Sequence, residues 1–390
     1  MPPPTKPHTT PAQSEQRDTA VSYRRIVIKA GSTLLTHGGG RLNLQVMATL
    51  VEQMAHLHRD GVETILVSSG AVAAGHHALS IPREGRNVPF KQVLAAAGQG
   101  RLMHAYEQLF DWHQIPVAQA LLSRKDLSDR LGYLNVRNTL LSLLELRVIP
   151  IINENDVVAV DELVGEVFGD NDNLSAMVAN LVDADVLVML GEVAGLYTAD
   201  PHLDPNAQLI PSVDGLDKEV EAMGGASWGD QGRGGMATKL EAARLAIASG
   251  VAVVIASGLE HNVLTRLVKG ERIGTNFSVT GTKVDSRKRW MLSGLSTRGE
   301  IVVDNGAASV LIHGNRSLLP AGVKKVLGSF ERGDIVSILD SGQSQIASGI
   351  TNYGSGELAK IKGSHSGRIA EILGHQYGDE VVHRNNMIVS

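Results

Sequence analysis

The chain has 390 residues, which is more than one hydrophobic core usually organises, and this length predicts two domains. Its 36 basic and 41 acidic residues give a net charge of −5, which offers no general reason to expect binding to nucleic acid or to an anionic membrane. The absence of cysteine excludes disulfides, thiolate metal sites and cysteine nucleophiles, and no apolar run reaches the roughly 18 to 20 residues of a membrane span.

The first 22 residues are rich in proline, threonine and glutamine and contain no hydrophobic stretch. They therefore lack the apolar segment of a secretory signal, and the acidic residues Glu15 and Asp18 are not typical of a transit peptide. This composition predicts a disordered tail over 1–22. With no targeting segment recognised, we expect the protein in the cytoplasm.

Short apolar and β-branched runs alternate with helical patterns from residue 23 to about 279. The runs lie at 25–29, 63–69, 115–122, 147–153, 184–190 and 251–257. Between the first two, residues 43–61 place apolar side chains on one helical face before Gly61 stops the pattern. Continuous apolar strands that alternate with helices predict an open, mainly parallel α/β sheet covered on both faces. We expect ligands beyond the carboxyl ends of its strands.

Polar residues follow the first two strands directly. Lys29 closes the first strand before a small-residue turn, and Ser69 ends the second strand before Gly70 and Ala71. A solvated strand end and a simple tight turn would explain both stretches. Alternatively, the ammonium group, the hydroxyl and the backbone amides point at an anion.

Carboxylates and amides gather after the fourth strand and before the fifth. They are Asn153, Asp156, Asp170, Asn171 and Asp172. Such a cluster can bind an ammonium group, orient lysines or hold Mg²⁺ through water. One of the residues before 173 can equally cap the helix that follows, and a capping residue can also serve a site. The stretch lacks the glycine and distal glutamate of an EF-hand, and the histidines show no ligand spacing, so we predict no protein metal site.

Four glycines in the seven positions 229–235 precede a helical pattern. Backbone amides at the start of a helix bind phosphate well, and Lys239 adds a positive charge in the first turn. The order of residues is not that of a P-loop, and a flexible loop before an amphipathic helix explains the glycines equally well. Two lysines, a glycine-rich helix start and a carboxylate cluster at one sheet edge together suit phosphoryl transfer.

The sequence changes character after residue 279. Residues 280–297 are basic or small and predict a linker. Strand-like runs follow at 300–304, 308–312, 334–339 and 345–351, with helical patterns at 355–363 and 366–374. These elements predict a small β-rich domain over 298–378 and a C-terminal tail over 379–390.

Seven sequence blocks in this order resemble the amino acid kinase family, and within it the branch that phosphorylates glutamate. The blocks are VIKAGSTLL, VSSGAVAAG, LLSRKDLSDRLGYLNVRNTL, VIPIINENDVV, GDNDNLSAMVA, GLYTADP and GGMATKLEAA. The C-terminal part is similar to a PUA domain. The resemblance implies the amino acid kinase fold over 23–279. It also implies ATP-dependent phosphorylation of the γ-carboxylate of L-glutamate to γ-glutamyl phosphate, the first step of proline biosynthesis.

The resemblance also implies roles for individual residues. Lys29 and Lys239 would neutralise the phosphoryl group in transfer, and Asp172 would orient both lysines. The substrate glutamate would be held by Ser69, Asn153, Asp156, Asp170 and Asn171. ATP would be bound by Lys29, Gly191, Glu192, Gly232, Arg233, Gly234, Gly235, Met236, Ala237, Thr238 and Lys239. Mg²⁺ would bridge the β- and γ-phosphates, and no protein base is needed because the acceptor carboxylate is already ionised at neutral pH.

The family further implies partners and regulation. Proline is expected as a feedback inhibitor in the glutamate pocket, the chain is expected to form a dimer or tetramer, and glutamyl-phosphate reductase is a candidate partner. PUA domains of other proteins bind RNA, but basic and acidic residues balance over 298–390. This balance argues against RNA binding and favours a structural or regulatory role.

Two other functions stay open at this point. One is a related kinase that acts on a different carboxylate or on a carbamate. The other is an RNA-binding or regulatory protein whose kinase site has decayed, against which the retained Lys29, Lys239, Asp170 and Asp172 speak.

The chain departs from the family pattern at three places. Gly191-Glu192 replaces a usual Thr-Asp pair, Arg233 replaces a threonine, and Asn138 replaces an aspartate. The first two places lie in the expected ATP site. Arg233 could pair with Glu192 or remain solvated, and our hypothesis is that it contacts a phosphate.

Overall fold

The computed structural model describes residues 23–36, 41–80, 88–158, 171–201, 203–216, 220, 223, 235–279, 297–314 and 316–389. The described residues form two sheets, one of eight strands and one of five. The predicted tail over 1–22 and nearly all of the predicted linker over 280–297 lie outside this part of the chain. No described helix is both long and apolar enough to cross a membrane.

The eight-stranded sheet has the order β3-β4-β2-β1-β5-β7-β8-β6. Its strands are β1 Arg25–Ala30, β2 Glu63–Ser68, β3 Val117–Leu122, β4 Ile149–Glu154, β5 Val186–Gly191, β6 Ser212–Val213, β7 Ala252–Ser257 and β8 Thr275–Phe277. Every neighbouring pair is parallel except β7 and β8. The six predicted strands and the mainly parallel sheet are therefore confirmed. β1 lies where the strand order reverses, with β2 on one side and β5 on the other, which is the usual ligand position of such sheets.

The helices among the described residues of this domain connect the strands and cover both faces of the sheet. They are α1 Ser32–Thr36, α2 Leu44–Arg59, α3 Ala71–Leu79, α4 Val88–Asp111, α5 Arg124–Ser128, α6 Arg130–Glu145, α7 Asn171–Leu181, α8 Met236–Ala248 and α9 Val263–Val268. The helix predicted over 43–61 is α2. The Asn43 side chain caps it by accepting from the amides of Gln45 and Val46, and Gly61 follows its end with a φ of +89°.

The alternation of side chains along β1 decides which face the lysine of this strand occupies. Val27 packs in the apolar cluster on one face, whereas Ile26, Ile28 and Ala30 pack in the cluster on the other face. Because successive side chains of a strand point to opposite faces, Lys29 shares the face of Val27. That face is covered by α7 and α8, whose apolar residues belong to the same cluster. The strand thus directs Lys29 toward these two helices.

Two glycines let α3 and α4 cross with their backbones in contact. A Cβ atom on Gly75 would lie 1.9 Å from the Leu94 carbonyl oxygen, and one on Gly98 would lie 1.9 Å from the Ala71 carbonyl oxygen. Any larger residue would force the helices apart. The crossing holds the start of α3, which directly follows Ser69 and Gly70, beside the middle of α4.

The five-stranded sheet has the order β10-β9-β11-β12-β13. Its strands are β9 Gly299–Val303, β10 Val323–Gly328, β11 Ile335–Leu339, β12 Gln345–Ile350 and β13 Met387–Val389, accompanied by helices α10 Asn305–Gly314, α11 Ser355–Ile361 and α12 Ile369–Leu373. Three buried isoleucines of this sheet, Ile335, Ile350 and Ile388, belong to an apolar cluster of the first domain. The two domains therefore share part of one hydrophobic core.

Two predictions for this second domain are wrong. Residues 308–312, expected as a strand, lie within α10, where Asp304 accepts from the Ala307 amide at the helix start and Ala308 and Leu311 are buried one turn apart. A short apolar run has no periodicity that separates strand from helix. The tail expected over 379–390 contains β13, which pairs antiparallel with β12, so the sheet continues past residue 378.

Candidate active site

The centre of the site is a carboxylate held between two lysines. Lys29 Nζ lies 2.6 Å from Asp172 Oδ1, and Lys239 Nζ lies 3.4 Å from Asp172 Oδ2. The Asp172 side chain is fully buried, and the lysine side chains are only 3% and 12% exposed. Three residues that are far apart in sequence therefore meet at the carboxyl end of β1.

Local structure explains why these side chains converge. Asp172 lies in the first turn of α7, where the helix dipole favours a negative charge. Lys239 lies in the first turn of α8, whose N-cap is Gly235. The Thr238 hydroxyl lies 2.8 Å from Asp172 Oδ2 and 2.8 Å from the Gly235 carbonyl oxygen, so it ties the start of α8 to the carboxylate.

The charges of this triad keep Asp172 ionised. Burial alone would raise the pKa of the Asp172 carboxyl, but the ammonium groups of Lys239 and Lys29 and hydrogen bonds from Lys29 and Thr238 outweigh it and lower the pKa below its ordinary value. Two ammonium groups and one carboxylate together carry one positive charge. Such a centre suits an anion that arrives from solvent.

A chain of side-chain hydrogen bonds lies at the ends of β2 and β4. Asn171 Nδ2 donates to Ser69 Oγ at 2.9 Å and to Asn153 Oδ1 at 3.0 Å. Asn153 Nδ2 in turn donates to Gln99 Oε1 at 2.8 Å. Ser69, Asn153 and Asn171 are each at most 5% exposed. Because Asn171 and Asp172 are neighbours on α7, this amide chain borders the two lysines.

The structure describes some of the other predicted site residues. Asp156 is buried two residues beyond β4, Gly191 ends β5, and a Cβ atom on Gly191 would lie 3.7 Å from Lys239 Cε. Glu192 is exposed beside Gly191, and its carbonyl oxygen accepts from the Ser257 hydroxyl. In α8, Met236 packs in the core whereas Ala237 is exposed. Asp170, Gly232, Arg233 and Gly234 lie outside the described residues.

Sequence reasoning missed two features of this region. The sequence gives no signal for Gln99, because a glutamine in the middle of a long helix carries no motif. The family resemblance predicts only ATP binding for Thr238, whereas its hydroxyl also lies within hydrogen-bond distance of Asp172. The unusual Asn138 lies on α6, and its Nδ2 donates to the carbonyl oxygen of Tyr377 in the second domain at 3.3 Å.

Comparison with known protein families identifies the family of this chain. The family model described as the amino acid kinase family matches residues 24–257, which is more than half of the chain. The chain belongs to the amino acid kinase family. Its first domain therefore has the amino acid kinase fold, and a second model, that of the PUA domain, matches residues 299–373 of the second domain.

Relatives of this amino acid kinase resemble it over nearly their whole length. The chain is 53% identical over 94% of its length to a protein of Dehalococcoides mccartyi named glutamate 5-kinase, and covers 98% of it. It is 50% identical over 94% of its length to a protein of the same name from Herpetosiphon aurantiacus, again covering 98%. A solved structure of UMP kinase from Bacillus anthracis aligns at 16% identity with a TM-score of 0.48, covering 67% of this chain and 98% of that one.

Proposed function

We propose that this amino acid kinase transfers the γ-phosphoryl group of ATP to the γ-carboxylate of L-glutamate. The observation that supports this most strongly is the pair of lysines on one buried carboxylate, next to a chain of amide and hydroxyl groups at the same sheet edge. The name shared by relatives at 50% and 53% identity supports glutamate as the acceptor.

The reaction brings two anions together, so the site must supply positive charge and exclude water. Lys29 and Lys239 approach Asp172 from a strand and from a helix, and both ammonium groups can pass from the carboxylate to the phosphoryl oxygens as these gain charge. The acceptor carboxylate is ionised at neutral pH and needs no base. Asp172 acts by holding the lysines, and Asp156 is proposed to pair with the substrate ammonium group.

The magnesium that kinases use would be held mainly by the nucleotide. Among the described residues, no group of three or more histidine, aspartate or glutamate side chains is arranged to hold a metal ion. The buried Asp172 carboxylate is engaged by two ammonium groups, which makes it a poor magnesium ligand. The ion would neutralise phosphate charge, and we assign no step of the reaction to a metal bound by the protein.

Several finer predictions belong with this proposal. We propose that the product serves proline biosynthesis, that proline competes for the glutamate pocket, and that the chain forms a dimer or tetramer. A complex with glutamyl-phosphate reductase, a cytoplasmic location, and contact of Gly232, Arg233 and Gly234 with the ATP phosphates also stay predictions. An Arg233→Thr variant with an unchanged or improved KM for ATP would contradict a phosphate contact by that arginine.

The proposed function is tested by trapping the acyl phosphate. The protein is incubated with ATP, Mg²⁺ and hydroxylamine, and hydroxamate is measured with glutamate, aspartate or N-acetylglutamate, each with and without proline. We expect product from glutamate, and K29M should lower its rate by at least about 100-fold because a charge aimed at the transition state is lost. K325M, which removes an exposed lysine of β10, is the matched control. No product from glutamate, or more from another acceptor, would refute the assignment.

A further inference from the structure

The amide chain of the site ends on a residue that the proposed reaction does not use. Gln99 lies on α4 and touches the site through its hydrogen bond to Asn153. It is partly buried, and it follows Gly98, whose backbone contact with α3 fixes this part of α4 beside Ser69. The contact between α3 and α4 therefore holds Gln99, on α4, near Ser69, which lies two residues before the start of α3.

Donor and acceptor are defined for each hydrogen bond of the chain that runs from Gln99 to Ser69. Gln99 Oε1 accepts from Asn153 Nδ2, which turns Asn153 Oδ1 toward Asn171. Asn171 Nδ2 uses its two hydrogens on Asn153 Oδ1 and Ser69 Oγ. Among the described residues Asn171 Oδ1 then has no donor, although it is buried, and the Ser69 hydroxyl, which accepts from Asn171, keeps its own proton to donate.

This direction gives the pocket one acceptor and one donor. Asn171 Oδ1 can accept from an ammonium group, and the Ser69 hydroxyl can donate to a carboxylate. If the side-chain amide of Asn153 were rotated by half a turn, its Nδ2 would face Asn171 Nδ2. Because two donors cannot pair, the side-chain amide of Asn171 would have to rotate as well. The Ser69 proton would then be used on Asn171 Oδ1, and Asn171 Nδ2 would meet the substrate ammonium as a second donor.

We propose that Gln99 is a positioning residue that fixes the direction of this chain and thereby selects acceptors with an α-ammonium group. The inference rests on the proposed glutamate kinase activity. Gln99 acts through Asn153 and Asn171, and it has no part in phosphoryl transfer itself. It therefore affects recognition of the acceptor and leaves recognition of ATP unchanged.

The test compares three variants of α4 in the full-length chain. Q99M keeps the length of the side chain but removes the acceptor, Q99E keeps an acceptor oxygen, and Q108M makes the same change as Q99M at an exposed position of the same helix. The hydroxamate assay gives kcat and KM for glutamate, for glutarate and for ATP. Glutarate has both carboxylates of glutamate but no ammonium group, so the ratio of the two kcat/KM values measures recognition of that group.

We expect Q99M to raise the KM for glutamate about tenfold, the effect of one lost hydrogen bond, and to lower the glutamate-to-glutarate ratio by a similar factor. The KM for ATP should stay within twofold of the wild-type value. Q99E should keep the wild-type ratio or exceed it, because its negative charge repels both dicarboxylates alike and attracts the ammonium group. Q108M should match the wild type in all three measurements.

Four outcomes would overturn the inference. The first is a Q99M variant whose glutamate-to-glutarate ratio of kcat/KM equals that of the wild type, and the second is a Q99M variant whose KM for ATP rises as much as its KM for glutamate. The third is a Q99E variant whose ratio is as low as that of Q99M. The fourth is a Q99M protein that does not fold, together with a folded Q99E protein whose ratio is reduced. These outcomes leave the proposed function intact as long as wild-type protein makes hydroxamate from glutamate. Wild-type protein that makes none refutes the function and the inference together.

Discussion

Replacing Asp172 by asparagine removes one charge and hardly changes the shape of the side chain. In the wild type one ammonium group lies beside each carboxylate oxygen of Asp172, so the substitution leaves Lys29 and Lys239 buried beside a neutral amide. We expect D172N to lose both stability and activity. The loss of stability should be partly restored by any polyanion that binds the same two lysines.

The distances set the size of the effect. At an effective dielectric constant of about 20, ammonium groups 2.6 and 3.4 Å from the carboxylate oxygens are each attracted by about 5 to 6 kcal/mol. Much of this attraction offsets the cost of burying the charges, and removing one partner of a buried ion pair costs about 3 to 5 kcal/mol. For a domain of this size that loss corresponds to roughly 6 to 20 °C in Tm.

Thermal unfolding of wild-type and variant protein, with and without a non-hydrolysable ATP analogue, measures both parts of this prediction. The analogue should raise the Tm of D172N more than that of the wild type, because its phosphates replace the missing negative charge. D183N is the matched control, since Asp183 also pairs with a buried cation, Arg137, at 2.6 Å but lies away from the lysines. It should lose stability and keep the wild-type response to the analogue.

A D172N variant that melts within about 2 °C of the wild type would refute this prediction, because such a shift corresponds to only about 1 kcal/mol or less in a domain of this size. The prediction also fails if the analogue stabilises D172N no more than it stabilises D183N. Either result would mean that Asp172 does not hold the two lysines against their mutual repulsion.

Two further predictions concern the helix crossing and acid pH. Gly98→Ala puts a Cβ atom 1.9 Å from the Ala71 carbonyl oxygen, so it should cost at least about 1 to 3 kcal/mol and raise the KM for glutamate more than that for ATP. In contrast, Gly100→Ala on the same helix meets nothing within 4 Å and should leave stability equal or higher, and equal Tm values for the two variants would refute the argument. The lowered pKa of Asp172 means that its stabilising contribution is present above the unfolded pKa of about 3.9 and is lost as pH falls through the folded value. The Tm difference between wild type and D172N should therefore be constant near neutral pH and shrink below about pH 4, and a difference that grows in acid would contradict it.

Much of the first domain could be predicted from the sequence, because strands buried on both faces read as continuous apolar runs. All six predicted strands lie in the eight-stranded sheet, and Lys29 lies near the carboxyl end of β1 as expected. The second domain was harder to predict. β10 carries exposed Lys324 and Lys325 at the edge of its sheet and shows no apolar alternation. β13 has only three residues, which is too short for a pattern.

Some features of the candidate site could also be predicted from the sequence, whereas others could not. Lys29 at a strand end, and Asp172 and Lys239 at helix starts, could be recognised because the strand and helix patterns predict where these residues lie relative to the sheet. The contact of Gln99 with Asn153 depends on the position of α4, which carries Gln99 and crosses α3. That crossing in turn depends on Gly75 and Gly98 lying opposite each other. Pairing of this kind between distant segments leaves no periodic signal in one sequence.

The three isoleucines that the second sheet places in the core of the first domain affect how a truncated protein must be interpreted. Ile335, Ile350 and Ile388 are each less than 10% exposed in the intact chain. Deleting the second domain would leave the apolar surface beneath them open to water, and such a surface promotes aggregation or new association. A shortened chain that loses activity would therefore not show that the second domain takes part in catalysis or regulation. Point substitutions at the shared surface that preserve its apolar character would separate these effects.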